Sequence, residues 1–161
     1  MLKAKEYHLM TDEQRNQLNR FFVRTFNSIL AFEDKALSER GIENLSVKET
    51  HVIETVIRLE QMGQNTMTAI AEQLNITVGA LSTAVQTLIG KGYLQRSTDA
   101  NDRRLVVMTA TNSGYEVNRI HESFHEQMIN YVAQQMNAED LARLTHSLEQ
   151  LSLFFESLTK K

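Results

Sequence analysis

The hydrophobic pattern changes period along the chain, and the changes mark out its elements. Leu18, Phe22, Phe26, Ile29, Leu30 and Leu37 recur at helical spacing after the capping pair Thr11-Asp12, and the run stops at Arg40-Gly41. Ser46 and Glu49 form a capping box for a second helix running to about Gln61. Its Val52, Ile53, Val56, Ile57 and Leu59 are too many for one stripe, so burial on two sides is expected. A turn at residues 62–65 leads to two short helices capped by Thr66 and Thr77. Their inward positions are Met67, Ile70, Ala71 and Leu74, then Leu81, Val85, Leu88 and Ile89. Asn75, Ile76 and Thr77 make the turn between them, with Ile76 expected in the core. Gly92 takes the left-handed position after the second helix. Residues 93–96 and 105–108 read as short strands around a polar tip. Thr111 opens a long helix to about Gln135, with Val117, Ile120, Phe124, Met128 and Tyr131 on one face. Asn137 opens the last helix, where Leu141, Leu144, Leu148, Leu151, Phe155 and Leu158 alternate at spacings of three and four, a heptad seam.

Helix, turn, helix, strand, polar tip, strand is the order of a helix-turn-helix with a β-wing, a device for holding duplex DNA. The predicted fold is mainly α with a small β-wing: a winged helix-turn-helix head on a long-helix dimerisation scaffold. The chain reads as a single domain. Residues 46–110 form the DNA-binding lobe, and residues 1–45 and 111–161 the scaffold. The terminal helices are too long and apolar for so small a head to cover. The seam is therefore read as a homodimer interface, with Leu18, Leu144, Leu148, Leu151 and Phe155 as its residues; intrachain packing is the alternative.

In this geometry the outer N-terminal face of the second short helix enters the major groove. That face carries Thr77, Val78, Gly79, Ser82, Thr83 and Gln86. Gln86 suits adenine, the hydroxyls suit phosphates or base edges, and Val78 suits a thymine methyl. The wing adds Arg96, Asp102, Arg103 and Arg104. An arginine at the tip suits a narrow, A·T-rich minor groove, with Asp102 orienting it.

Composition narrows the function. Net charge is −3, but residues 66–110 carry four basic and three acidic side chains, the one segment with a positive balance. So few charges predict modest non-specific DNA affinity, with specificity resting on a dimer and on groove contacts. The chain has no cysteine, which excludes disulfides and thiolate metal sites. It has no proline, which permits long unbroken helices. No apolar run reaches the ~18 residues of a membrane span, and the N-terminal residues lack the apolar core of a secretory signal. A cytoplasmic protein without membrane association is expected.

One motif points elsewhere. His121-Glu122-Ser123-Phe124-His125 spells H-E-x-x-H, which on a helix can hold zinc with the glutamate as general base. No third ligand accompanies it in sequence, and Phe124 directs the helix toward packing. A hydrolase is the remote alternative, and a regulatory metal site using His121 and His125, with Glu122 or His146, a nearer one. The adopted reading is an exposed or interface helix face, with no metal ligand and no cofactor assigned. There is no glycine-rich phosphate loop, and nothing gathers Ser82, His51 and Asp102 into a triad. No enzymatic activity is expected.

The chain resembles the MarR family of winged-helix regulators. The family pattern Asp-x-Arg, five residues, Leu-Thr-x-x-Gly stands here as Asp102 and Arg104, then Ala110-Thr111-Asn112-Ser113-Gly114, with alanine in place of leucine. The resemblance implies a homodimer on a pseudo-palindromic operator, a ligand-responsive repressor or activator, Arg104 in the minor groove and the helix from Thr77 in the major groove. Residues 45–53 (LSVKETHVI), 77–83 (TVGALST) and 119–125 (RIHESFH) look like the FabT-type repressors of fatty-acid synthesis. That narrower resemblance implies acyl-acyl carrier protein as corepressor. Its chain would lie in an apolar gap between the first, second and fifth helices, with Phe22, Phe26, Ile29, His51, Phe124 and Met128 as lining residues. A small apolar or aromatic ligand that releases the protein from DNA is the other effector class.

Overall fold

The computed structural model describes residues 10–98 and 105–159. Among these residues, six helices and one two-stranded sheet follow in chain order: α1 (Asp12–Ser38), α2 (Val47–Gln61), α3 (Met67–Gln73), α4 (Val78–Gly90), β1 (Leu94–Thr98), β2 (Val106–Ala110), α5 (Asn112–Gln134) and α6 (Ala138–Thr159). All six start at predicted caps, Asn137 accepting the Asp140 N–H at the start of α6. Thr11 and Ser46 form complete capping boxes with Gln14 and Glu49. Thr66, Thr77 and Thr111 each accept a backbone N–H three residues on. These hydroxyls satisfy N–H groups that have no partner inside the helix.

The core is centred on α2. Ile53 and Val56 are fully buried, and Val52, Ile57 and Leu59 nearly so. One side of this helix meets α3, α4 and β2, and another meets α5 and the end of α1. Ile70, Leu81, Val85 and Leu88 close the head beneath it, and Leu37, Val117 and Ile120 join the same cluster from the scaffold. Burial on two sides explains why its apolar residues exceed one stripe.

The strands pair antiparallel, Leu94 opposite Ala110 and Thr98 opposite Val106. The sheet begins and ends one to two residues later than the sequence pattern predicts, because Tyr93 serves the turn instead. Thr111 N–H donates to the Tyr93 carbonyl at 3.0 Å, and the Thr111 hydroxyl donates to the Gly92 carbonyl at 2.7 Å. Gly92 has φ +82° there, as the left-handed cap requires. The wing root is tied to the turn before α3 from both sides. Asn65 donates its side-chain amide to the Met108 carbonyl at 2.6 Å, and Met108 N–H donates to the Asn65 carbonyl at 2.9 Å.

Two expectations are corrected. Ile76 is 41% exposed rather than in the core. Asn75 turns through φ 53° and Ile76 N–H bonds the Ala71 carbonyl, which leaves the Ile76 side chain at the rim of a cleft. The α5 stripe fades along the helix: Val117 and Ile120 are buried, Phe124 and Met128 half-buried, and Tyr131 exposed. The far end of α5 runs beyond the core.

Gly114 shows what the motif glycine is for. A Cβ there would lie 2.3 Å from the Tyr93 carbonyl oxygen. Gly114→Ala must push α5 off the wing root, and a loss of about 1–3 kcal/mol is expected, as for overpacking. A urea melt with an unchanged midpoint would contradict this packing.

Candidate nucleic-acid interface and interhelical cluster

The predicted DNA-contact residues of α4 fall on one open face. Thr77, Val78, Gly79, Ser82, Thr83 and Gln86 are all exposed, while Leu81, Val85 and Leu88 between them are fully buried. The local chemistry keeps this face short and smooth. The Thr77 hydroxyl accepts from Ala80 N–H, and the Thr87 hydroxyl is folded back onto the Thr83 carbonyl. Arg96 stands exposed on β1. Asp102, Arg103 and Arg104 lie outside the described residues.

The far end of α4 is clamped to α2. Lys91 Nζ bonds Glu49 Oε1 at 2.6 Å, while the other Glu49 oxygen accepts from Ser46 N–H and its hydroxyl. Burial opposes charge on Glu49, but the Lys91 ammonium and the Ser46 donors outweigh it and hold its pKa below the ordinary value. One carboxylate thus completes the α2 cap and fixes the end of α4.

The junction of α1, α2 and α5 is polar. Glu33 on α1 is buried, and its Oε1 lies 3.3 Å from His121 Nε2, 3.2 Å from His125 Nε2 and 3.7 Å from His51 Nε2. The two Nε2 atoms of α5 are 3.1 Å apart. His121 Nδ1 faces Glu54 Oε2 at 3.7 Å. Glu33 Oε2 and His121 Nδ1 are buried without a hydrogen-bond partner. Burial lowers the His121 pKa most; Glu54 and Glu33 pull it up, His125 and His51 push it further down, and the net shift is downward. The ring is therefore held toward its neutral form.

The reading of the H-E-x-x-H face as exposed or interfacial is therefore corrected. His121 is buried and His125 half-buried, both turned into the chain. Glu122 points away, exposed, with Oε1 accepting from Asn118 at 2.9 Å, so it is not placed as a general base toward the histidines. Glu33 and Glu54 are the residues that sequence reasoning missed. The signal was present for Glu33: it sits on the α1 stripe between Ile29 and Leu37, where an acid needs a partner.

The six residues named for an acyl gap are distributed along the scaffold. Phe22 and Phe26 stack on each other toward the open part of α1, where Ile29 is half-buried. Phe124 stacks on Phe32 and lines a small cavity of about 150 Å³. Met128 is half-buried on α5. His51 lines a separate cleft of about 320 Å³ with Val52, Leu74, Ile76 and Ala84. Of the residues named for dimerisation, Leu144 and Leu151 are half-buried, and Leu18, Leu148 and Phe155 are 42–50% exposed.

The MarR family pattern matches residues 48–106, the span from α2 through the first residue of β2. This stretch of the chain is similar to the MarR family. MarR proteins are transcriptional regulators, not enzymes. The chain is 27% identical over 104 residues to the HTH-type transcriptional regulator YhjH of Bacillus subtilis (strain 168), covering 62% of this chain and 58% of that relative. The match therefore spans less than two thirds of the curated relative. Among solved structures, Streptococcus pneumoniae FabT in complex with DNA superposes with a TM-score of 0.77 at 27% identity, over 89% of this chain and 99% of that one. The S. aureus MepR–DNA complex gives 0.66 at 20% identity, over 83% and 94%, a likeness of fold. Among the described residues, no helix is long and apolar enough to cross a membrane.

The Asn65 clamp makes a test of how the wing is held. Asn65→Ala removes a buried donor and leaves the Met108 carbonyl unsatisfied, a cost of about 1–3 kcal/mol. Amide exchange in β2 is expected to accelerate more than exchange in α4. Equal acceleration in both would show that Asn65 acts on the whole head.

Proposed function

We propose that this chain is a DNA-binding transcriptional regulator, acting as a homodimer on a pseudo-palindromic operator. The open α4 face is the observation that carries the reading. It combines small and hydroxylic residues with Gln86 on a helix whose opposite side is wholly buried. Such a face can enter a major groove without a bulky side chain in the way, and Gln86 has the donor and acceptor that adenine requires. Arg96 and the tip residues Asp102, Arg103 and Arg104 extend the contact to the backbone and minor groove.

The dimer follows from the scaffold. Phe21, Val23, Phe26 and Leu30 of α1 and Leu148, Leu153, Phe154 and Leu158 of α6 are about half exposed. A second copy of the same faces would bury them, and an isologous pairing of this kind also fits a two-fold operator. It would set two α4 helices about 34–36 Å apart, one turn of duplex.

A finer reading is repression of fatty-acid synthesis with acyl-acyl carrier protein as corepressor. The likeness to FabT at 27% identity supports it. The separate sites of Phe22, Phe124 and His51 do not supply one apolar channel within a chain, so an acyl chain would need an opening of the α1–α5 junction.

The deciding experiment is selection of a palindrome from random DNA, followed by fluorescence anisotropy with and without long-chain acyl-acyl carrier protein. Tighter binding with the acyl carrier supports the corepressor reading; specific binding without response leaves a regulator of another effector; no selected sequence removes the DNA-binding proposal. Arg104→Ala is expected to weaken operator binding about tenfold, as for loss of one ~1–3 kcal/mol groove contact, with the dimer intact. Leu148→Glu is expected to give monomers at micromolar concentration in sedimentation; a persistent dimer would move the interface elsewhere.

A further inference from the structure

We infer that Glu33, His121 and His125, with His51 as fourth ligand, form a Zn²⁺ site that clasps the reading head to the scaffold. The site itself stands on the geometry of the junction, and its regulatory role rests on the DNA-binding reading above.

Three donor atoms from two helices, Glu33 Oε1, His121 Nε2 and His125 Nε2, lie 3.1, 3.2 and 3.3 Å apart. Protons satisfy at most two edges of that triangle. If both ring nitrogens donate to Glu33 Oε1, the two N–H groups lie side by side at 3.1 Å and the nitrogen–nitrogen edge gains nothing. If only one did, at least one edge would set lone pair against lone pair. A single cation at the centre satisfies all three edges. Zinc bound by nitrogen and oxygen at about 2.0–2.1 Å sets tetrahedral neighbours about 3.3–3.4 Å apart, close to what is observed. His51 Nε2, at 3.7 Å from the same carboxylate oxygen, stands beside the triangle on α2 and becomes the fourth ligand once its ring turns in.

The surroundings fit a metal better than a structural ion pair. Glu33 is 4% exposed and, among the described residues, no lysine or arginine is paired with it, although a buried carboxylate demands compensation. His121 is held toward its neutral, ligating form by burial. Its Nδ1 turns to the Glu54 carboxylate, the outer group that commonly orients a metal-bound imidazole. Imidazole and carboxylate in a tetrahedral set select zinc over magnesium or calcium. The His125 side chain, 34% exposed, opens a way in for the ion.

The ligands decide what the ion would do. Glu33 lies on α1 and the histidine pair on α5, both scaffold helices, whereas His51 lies on α2, the centre of the head. Occupancy favours the arrangement in which all three helices converge. A head already fixed on the scaffold loses less freedom when it docks, so Zn²⁺ tightens operator binding.

The test is a competition between the full-length protein and a chromophoric chelator for Zn²⁺. One ion per chain is expected. Glu33→Gln and His125→Gln each weaken it by at least about 10- to 100-fold, the loss typical of disturbing even an outer group. His125 is partly exposed, so circular dichroism of that variant should match the wild type and exclude misfolding as the cause. Glu122→Gln and His146→Gln leave the affinity unchanged. Absence of Zn²⁺ binding, or equal binding by both ligand variants, overturns the site. For the selected operator, Zn²⁺ against EDTA should tighten binding by about 5- to 150-fold in the wild type and not in His125→Gln. An operator affinity equal with Zn²⁺ and EDTA overturns the clasp. Failure to select any DNA bears on the proposed function alone, since the chelator competition is read without DNA.

Discussion

The two-sided burial of α2 is the constraint on which the rest of this molecule depends. A helix covered on one side only can slide or tilt with its exposed face as slack. With Ile53 and Val56 fully buried and neighbours on both sides, α2 has none. Close-packed interiors transmit displacement rather than absorb it. The head and the scaffold are thus two faces of one core, and any change in how they meet passes through α2.

The same arrangement explains why charge at the α1–α2–α5 junction matters. Apolar contacts are forgiving of small rotations, whereas a buried carboxylate among three imidazoles is not. The cost of leaving Glu33 unpaired makes one relative placement of the three helices much better than its neighbours whenever a cation is supplied. An element with two such states, one favoured by an effector, is what a switch requires. The clefts near Phe124 and Ile76 do not join each other, and neither gathers buried charge that would discriminate between placements in this way.

Local signals were legible in the sequence because the interactions that set them are local. Thr11, Ser46, Thr66, Thr77 and Thr111 cap helices through bonds spanning three residues, so spacing alone reveals them. The inward set Leu81, Val85 and Leu88 follows from periodicity, and with it the outward face from Thr77 to Gln86. Ile76 was misjudged because its place depends on the left-handed turn at Asn75, and hydrophobicity does not report backbone handedness. The histidine face was misjudged for a different reason. What turns His121 inward is Glu33, 88 residues earlier in the chain, and only the packing of α5 across α1 brings them together. An acid on an apolar stripe and a histidine pair on another are each weak signals, and they gain meaning only as a pair.

The close approach of Gly114 to the Tyr93 carbonyl has a mechanical consequence. Gly114 and His121 are seven residues apart on one uninterrupted helix, a separation of about 10 Å along its axis. The first seats α5 against the wing root with no gap, and the second seats it against α1 and α2. The wing is therefore mounted on the same rod as the cluster, like a pointer fixed to the shaft of a gauge. A roll of α5 at its polar seat reaches the wing without backlash, and a side chain in place of that one hydrogen would put play into the shaft.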